Sequence, residues 1–245
     1  MFREAWRLRF VLAIGLFIFG VLALAAWKHA PRSDRSEAAA KRVRPQLEAA
    51  LRVKSLRWGA PVFIRIFKEE KELELWIDDG KVFKHFKTWP ICKYSGALGP
   101  KLKEGDGQAP EGFYFVPRSR MNPRSRFHLS FNIGYPNTYD RTHKRTGSAL
   151  MVHGNCVSIG CYAMTDAGIE EIYSLCAAAL MNGQRFFRVH CFPFRMTEAN
   201  MKRHAKSKWL GEWKNLKKGY DRFEETKRPP NVTVSGKQYL FGETY

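Results

Sequence analysis

The 245-residue sequence predicts an α+β fold in which strands come first and helices later. Apolar and polar residues alternate over 62–68 and 72–77, which is typical of half-buried strands. The turn Asp78-Asp79-Gly80 then leads into a third such segment at 82–88, which completes a hairpin. Beyond Cys161 the apolar spacing becomes helical. A chain of this length can bury one sizeable core, so we expect one globular domain with additions.

The remaining elements follow from the same periodicities. An amphipathic helix is predicted over 36–57, started or interrupted at Pro45. Thr165 and Asp166 are suited to cap a helix whose apolar stripe includes Cys176 as ordinary core. The glycine- and proline-rich stretch 95–112 predicts a long loop, and such loops are commonly functional. Further strands are expected at 113–116, 127–133, 149–153 and 186–191, helices at 197–208 and 212–227, and a strand pair at 232–239.

The first thirty residues bear on the compartment. Residues 10–27 carry no charge over 18 positions, and as a helix they would measure about 27 Å, just enough to span a bilayer. Three arginines precede this stretch and Ala23-Leu24-Ala25 offers a cleavage pattern, so a signal peptide and an uncleaved anchor both remain open. Basic residues that follow the stretch outnumber those before it, and this count favours a cytoplasmic flank instead of an exported one.

The net charge of +19 is compatible with a polyanionic partner or with a solvated basic face. Nucleic acid would suit that charge. However, the sequence has no zinc-finger spacing, no aromatic run typical of RNA-binding domains and no basic-leucine pattern. We therefore expect no nucleic-acid partner.

The densest reactive cluster lies in 151–166, between a predicted strand and the start of a helix. A nearby imidazole and a helix N-terminus both lower a thiol pKa, so Cys161 is the predicted nucleophile. His153 precedes it by eight positions, which lets a loop fold back and bring the imidazole to the thiol as a general base. Gly160 allows close backbone approach, and the amides around Cys161 could form an oxyanion hole.

The five cysteines allow a second interpretation of this cluster. Their number is odd and their spacing describes no disulfide framework, so at least one thiol is expected to be free. Histidine and cysteine are also metal-ligand types, and His153, Cys156 and Cys161 could form a metal site with His190 and Cys191 nearby. No paired CxxC supports that site, so we predict no metal and no cofactor.

Around these residues the sequence resembles the L,D-transpeptidase catalytic-domain (YkuD-type) family, in particular its YafK-like branch. The family pattern is His-Gly, a loop, and then Ser/Thr-His-Gly-Cys. This chain has His153-Gly154 and Ser158-Ile159-Gly160-Cys161, with isoleucine in place of the second histidine. Further segments that resemble the branch are 91–96, 98–101, 105–112, 130–137 and 192–194.

The resemblance implies a mainly β catalytic domain of two packed mixed sheets, with peripheral helices and an N-terminal transmembrane or signal helix. The resemblance covers about residues 62–195, and with the residue patterns above the expected boundaries are a signal peptide or anchor at 1–30, a helical linker at 31–60, the catalytic domain at 61–210 and a C-terminal helical extension at 211–245. Because the implied substrate is the cell wall, with roles in wall biogenesis and cell shape, the expected location is periplasmic.

The implied chemistry is a thioester between Cys161 and the diaminopimelate carbonyl of a peptidoglycan stem peptide. His153 would accept the thiol proton, and Ser158 with nearby carbonyls would orient the histidine. Tyr135, Arg141 and Arg145 are the expected substrate-binding residues; the arginines would hold a carboxylate or serve only as solvated loop charges.

The thioester has two fates. An amine acceptor makes the enzyme a transpeptidase, whereas water makes it an amidase, for which a lipoprotein attached to diaminopimelate is a candidate partner. A non-catalytic wall-binding module is the alternative from another class.

Overall fold

A computed structural model describes residues 31–242. The apolar segment 10–27, and with it the predicted anchor or signal helix, lies outside the described residues. Within 31–242 no helix has the length and apolar character needed to cross a membrane.

The first sheet has five strands in the order β3-β2-β1-β10-β5. Its β1 and β10 run parallel and its other neighbours are antiparallel, so the predicted hairpin is confirmed. The strands are β1 (Val62–Phe67), β2 (Glu72–Asp78), β3 (Phe83–Pro90), β5 (Gly112–Pro117) and β10 (Phe186–Phe192).

The second sheet has the order β4-β9-β8-β7-β6, and its strands are short. They are β4 (Lys93–Tyr94), β6 (Met121–Asn122), β7 (Ser130–Asn132), β8 (Met151–His153) and β9 (Tyr162–Ala163). Here β8 and β9 are the parallel pair, with His153 opposite Ala163. The crossover 154–161 therefore begins directly after the predicted base and ends at the predicted nucleophile.

Helix α3 (Asp166–Met181) contacts strands of both sheets, and most of its side chains are buried. It is capped by Thr165, as predicted. Helix α1 (Asp34–Val53) packs on α3 and contributes Val43 and Leu47 to the main core. Helix α1 therefore packs into the core of the domain, and the role of 31–60 as a helical linker to the N-terminal segment stays a prediction. Its capping box lies upstream of the expected start, and the helix continues through Pro45.

The opposite face of the first sheet is covered by α5 (Leu210–Thr226) and the hairpin of β11 (Asn231–Ser235) and β12 (Gln238–Gly242). Trp213 and Leu216 of α5 are buried there, so the segment 211–245 is a second core layer as far as it is described. The predicted helix at 197–208 is shorter, as α4 (Glu198–Arg203). A 3-10 turn at Arg118–Arg120 and the short α2 (Thr138–Thr142) complete the fold.

Candidate active site

Cys161 ends the turn that connects the parallel strands β8 and β9. Gly160 before it has a φ of +146°, and a side chain there would meet Leu150 at 3.2 Å. The glycine therefore lets the chain pass close to the core, as predicted. The thiol is partly exposed; its Sγ lies 3.4 Å from the amide nitrogen of Met151 and 3.8 Å from the carbonyl oxygen of Ala149.

His153 closes β8, with its ring buried against Phe127 at 4.7 Å between ring centres. Nδ1 lies 2.6 Å from the carbonyl oxygen of Gly154. Because a carbonyl only accepts, this contact assigns the hydrogen to Nδ1 and leaves Nε2 with a free lone pair. Burial lowers the pKa of His153. A neutral imidazole with Nε2 unprotonated has the form required of a general base.

The resting thiol is protonated. Burial raises the pKa of Cys161, although the Met151 amide and the charge of Lys101 act in the opposite direction. The expected activation by a helix N-terminus is absent, because β9 separates Cys161 from the start of α3 at Asp166. Across residues 31–242 no hydrogen bond joins His153 to Cys161. Activation therefore requires proton transfer to His153 when substrate arrives, and hydrogen bonds in free enzymes are often longer than in complexes.

Ser158 does not orient His153, contrary to the expectation from the resemblance. Its hydroxyl donates to the carbonyl oxygen of Cys161 at 2.7 Å and accepts from the amide of Gly160 at 3.2 Å. The expectation also named nearby carbonyls, and the carbonyl of Gly154 is the one that contacts the histidine. Ser158 thus fixes the turn that presents the nucleophile, and the hydroxyl of Ser95 lies 3.3 Å from it.

Cys156, in the same crossover, is bonded to Cys92 just before β4, with Cα atoms 5.2 Å apart. The disulfide removes Cys156 from the alternative metal site. In the described part of the chain no group of three metal-ligand side chains is assembled. Cys176 and Cys191 are buried, which leaves Cys161 as the accessible free thiol among the described cysteines.

The long loop 95–112 forms one wall beside the nucleophile. The carbonyl oxygen of Gln108 lies 3.7 Å from where a side chain on Gly160 would begin. The Gln108 side chain binds the backbone of Ala97 and Gly99, closing the loop on itself. The loop was predicted to be functional, but sequence reasoning did not single out Lys101 or Gln108. Their only signal was that both lie in segments resembling the branch.

The profile of the YkuD family, the L,D-transpeptidase catalytic domain, matches residues 61–189, which is more than half of the chain. The chain belongs to this family. "Putative L,D-transpeptidase YafK" of Escherichia coli (strain K12) is 51% identical over 182 residues, covering 74% of each chain. The protein of the same name from Escherichia coli O157:H7 matches equally. The resemblance to the family and to its YafK-like branch is therefore confirmed.

Two solved structures are also similar to the chain. The helical cell shape determining protein Pgp2 from Campylobacter jejuni aligns with a TM-score of 0.44 at 18% identity, covering 71% of this chain and 73% of Pgp2. Bd1075 of Bdellovibrio bacteriovorus aligns with a TM-score of 0.41 at 17% identity, covering 74% and 79%.

Of the expected substrate-binding residues in this L,D-transpeptidase domain, Arg145 is not available to substrate. It is buried between Asp140 at 3.1 Å and Glu212 at 2.6 Å, and these carboxylates already neutralise it. Tyr135 is also buried, and its hydroxyl donates to the carbonyls of Lys101 and Thr146. Tyr135 thus helps to hold the loop 95–112 in place through Lys101.

Arg141 is exposed on α2, where it donates to the carbonyl of Pro136. Ile159, at the position of the family's second histidine, is 90% exposed beside the nucleophile. The exposed side chain two positions before the nucleophile is therefore apolar where the family pattern has an imidazole.

Proposed function

We propose that this chain is a peptidoglycan-modifying cysteine enzyme that forms a thioester at the diaminopimelate carbonyl of stem peptides. One observation carries the proposal: an accessible free thiol lies at the end of the crossover that begins at a neutral imidazole with a free Nε2. Family membership supplies the substrate class.

The proposed reaction has two stages. In the first, Nε2 of His153 takes the proton of the Cys161 thiol while Sγ attacks the carbonyl carbon. The tetrahedral intermediate collapses to a thioester, and the imidazolium returns its proton to the departing amine. In the second stage an amine or water attacks the thioester, His153 again takes a proton, and Cys161 leaves as the thiol.

Hydrolysis is the second candidate for the fate of the thioester. Its specific support is Ile159, which offers no hydrogen bond where the family pattern has a histidine that could bind an acceptor amine. Water needs no such binding group. An amidase that releases a lipoprotein from diaminopimelate would be compatible with an apolar residue at this position. A wall-binding module without catalysis is the alternative from another class.

A periplasmic location is proposed on two grounds. The disulfide between Cys92 and Cys156 suits an oxidising compartment, because cytosolic reductants keep thiols reduced. The uncharged stretch 10–27 is long enough for an export signal or anchor.

The test is intact-mass and muropeptide analysis of the full chain incubated with purified sacculi, some of which carry attached lipoprotein. Cys161→Ala is compared with Cys176→Ala, which removes a buried thiol and keeps the nucleophile. We expect Cys161→Ala alone to lose acyl-enzyme and products. Crosslinked or exchanged muropeptides would assign transpeptidation, and released lipoprotein or shortened stems would assign hydrolysis. Products that persist in Cys161→Ala would refute the mechanism.

A further inference from the structure

A groove of about 770 Å³ lies on the outer face of the first sheet, between strands β5 and β10 and the hairpin β11/β12. This volume is in the range of ligand-binding pockets. Neither Cys161 nor His153 lines it. We call it the Arg188 groove, defined by Arg120, Arg141, Arg188, His190 and the paired rings Phe115 and Phe186.

The charge of the Arg188 groove is one-sided. Among residues 31–242 its lining contains three arginines and no aspartate or glutamate. Their guanidinium groups donate to neutral oxygens: Arg120 to the carbonyl of Phe115, Arg141 to that of Pro136, and Arg188 to the side chain of Asn231. Burial lowers the pKa of Arg188, and burial together with Arg141 lowers that of Arg120. An anion bound in the groove would stabilise the charged form of these buried guanidinium groups.

His190 supplies an independent observation at the same place. It lines the groove, is 1% exposed, and sits between Phe63 and Phe113 at 4.6 Å from each ring centre. Both ring nitrogens are buried without a hydrogen-bond partner in residues 31–242. A buried polar group left unpaired is destabilising, so native proteins rarely keep one without a reason. A polar ligand group at this position would satisfy it.

The rim of the groove combines aromatic faces with cations. Phe115 and Phe186 are 49% and 36% exposed, with ring centres 5.3 Å apart. The Arg120 and Arg188 guanidinium groups lie 5.1 and 5.3 Å from those rings. Exposed aromatic faces accept the apolar faces of sugar rings, and arginine forks accept carboxylates.

From this combination we propose that the Arg188 groove is a second binding site, which holds a carboxylate-bearing glycopeptide strand of the cell wall. The assignment of the wall as its source rests on the proposed function. The strand would be held here while Cys161 acts on a stem peptide. Because neither Cys161 nor His153 lines the groove, binding in the groove and chemistry at Cys161 can be separated by mutation.

The test uses the full chain in detergent with Cys161→Ala to prevent turnover, and co-sedimentation with purified sacculi. The variant pair Arg141→Gln/Arg188→Gln is compared with Arg52→Gln/Arg57→Gln, which removes the same charge from exposed side chains outside the groove. We expect the groove pair to weaken sacculus binding about 10-fold or more and the control pair to leave it unchanged. Amidation of the sacculus carboxylates should weaken wild-type binding similarly.

Equal binding by both pairs, or binding indifferent to amidation, would overturn the proposal. A loss seen only with phosphatidylglycerol vesicles would assign the groove to a lipid surface instead. If the groove pair does not fold, phenylglyoxal labelling of the unmutated arginines replaces it: soluble muropeptides should protect Arg141 and Arg188 but not Arg52, and equal labelling counts against the site. Groove-dependent binding without Cys161-dependent products would leave this site standing and reject the proposed chemistry.

Discussion

The carbonyl of Gly154 does for His153 what a carboxylate does in other triads, but it adds no negative charge. A carbonyl fixes the tautomer and ring orientation, whereas a carboxylate would also stabilise the imidazolium. Burial lowers the pKa of His153 and outweighs the Gly154 carbonyl, which acts in the opposite direction, so the neutral form is favoured at rest. The site is a thiol–imidazole pair that ionises during the reaction.

Alkylation of Cys161 by iodoacetamide should accelerate with rising pH, with a midpoint above about 8.5, the ordinary cysteine value. The reason is that burial raises the pKa of this thiol. Mass spectrometry of the native chain against pH measures it, and Cys176 and Cys191, which are buried, serve as internal controls. Lys101→Met should move the midpoint higher, because the Lys101 charge lowers the pKa. A midpoint below 7 would indicate a standing thiolate–imidazolium pair and contradict this account.

At this scale the sequence located Cys161 and His153 because they share one short crossover. The contacts of Ser158 and Arg145 differ from the expected ones for a physical reason: hydrogen-bond partners are set by the folded chain. Arg145 is neutralised in part by Glu212, 67 positions away, and no local pattern encodes that contact.

The loop 95–112 depends on a charge pair with no access to solvent. The ammonium of Lys68 lies 3.0 Å from Glu111 and also donates to the carbonyls of Gly99 and Ala109. Glu111 in turn accepts from the Gly99 amide and the Trp213 indole. The pair thus connects the residue after β1 with the loop 95–112 and with α5. These hydrogen bonds hold the loop in place.

Glu111→Gln should destabilise the fold by about 3–5 kcal/mol, because it leaves the buried Lys68 ammonium without its counter-charge. Urea unfolding of the full chain in detergent measures the difference. Glu48→Gln is the matched control: it breaks the exposed pair with Arg44, which should cost less than about 1 kcal/mol. Similar losses in the two variants would show that burial of the Lys68 pair has no special role.

Element types were predictable, whereas their partners were not. The sequence pattern identified β1, β2 and β3, although β1 is buried along its whole length and not half-buried as expected, and the capping residue Thr165 located α3. The insertion of β10 between β1 and β5 was not predictable, because alternation identifies a strand without naming its neighbours. The apolar stripe of α1 was visible in the sequence too, but the sequence did not show that this stripe packs on α3.

For the whole molecule, the basic charge and the oxidised cysteine pair describe the same environment. Under the proposed function, the carboxylates of wall polymers would attract a chain of net charge +19, with an interaction that weakens as salt rises. The charge is distributed unevenly in the described part of the fold: no aspartate or glutamate of residues 31–242 lines the Arg188 groove, while Arg145 and Arg65 are buried against carboxylates. A linear sequence gives the total charge, and the fold decides which cations are available to a ligand.

The disulfide makes the export proposal measurable in cells that express the full chain. Rapid acid quenching, denaturation and alkylation should label three cysteines without reduction, because Cys161, Cys176 and Cys191 are free and Cys92 is bonded to Cys156. Reduction before alkylation should raise the number to five. The control is Cys92→Ser, which frees Cys156 and should show four labelled cysteines with or without reduction. Five labels on the unreduced native chain would place it in a reducing compartment, because the disulfide can persist only where thiols are oxidised.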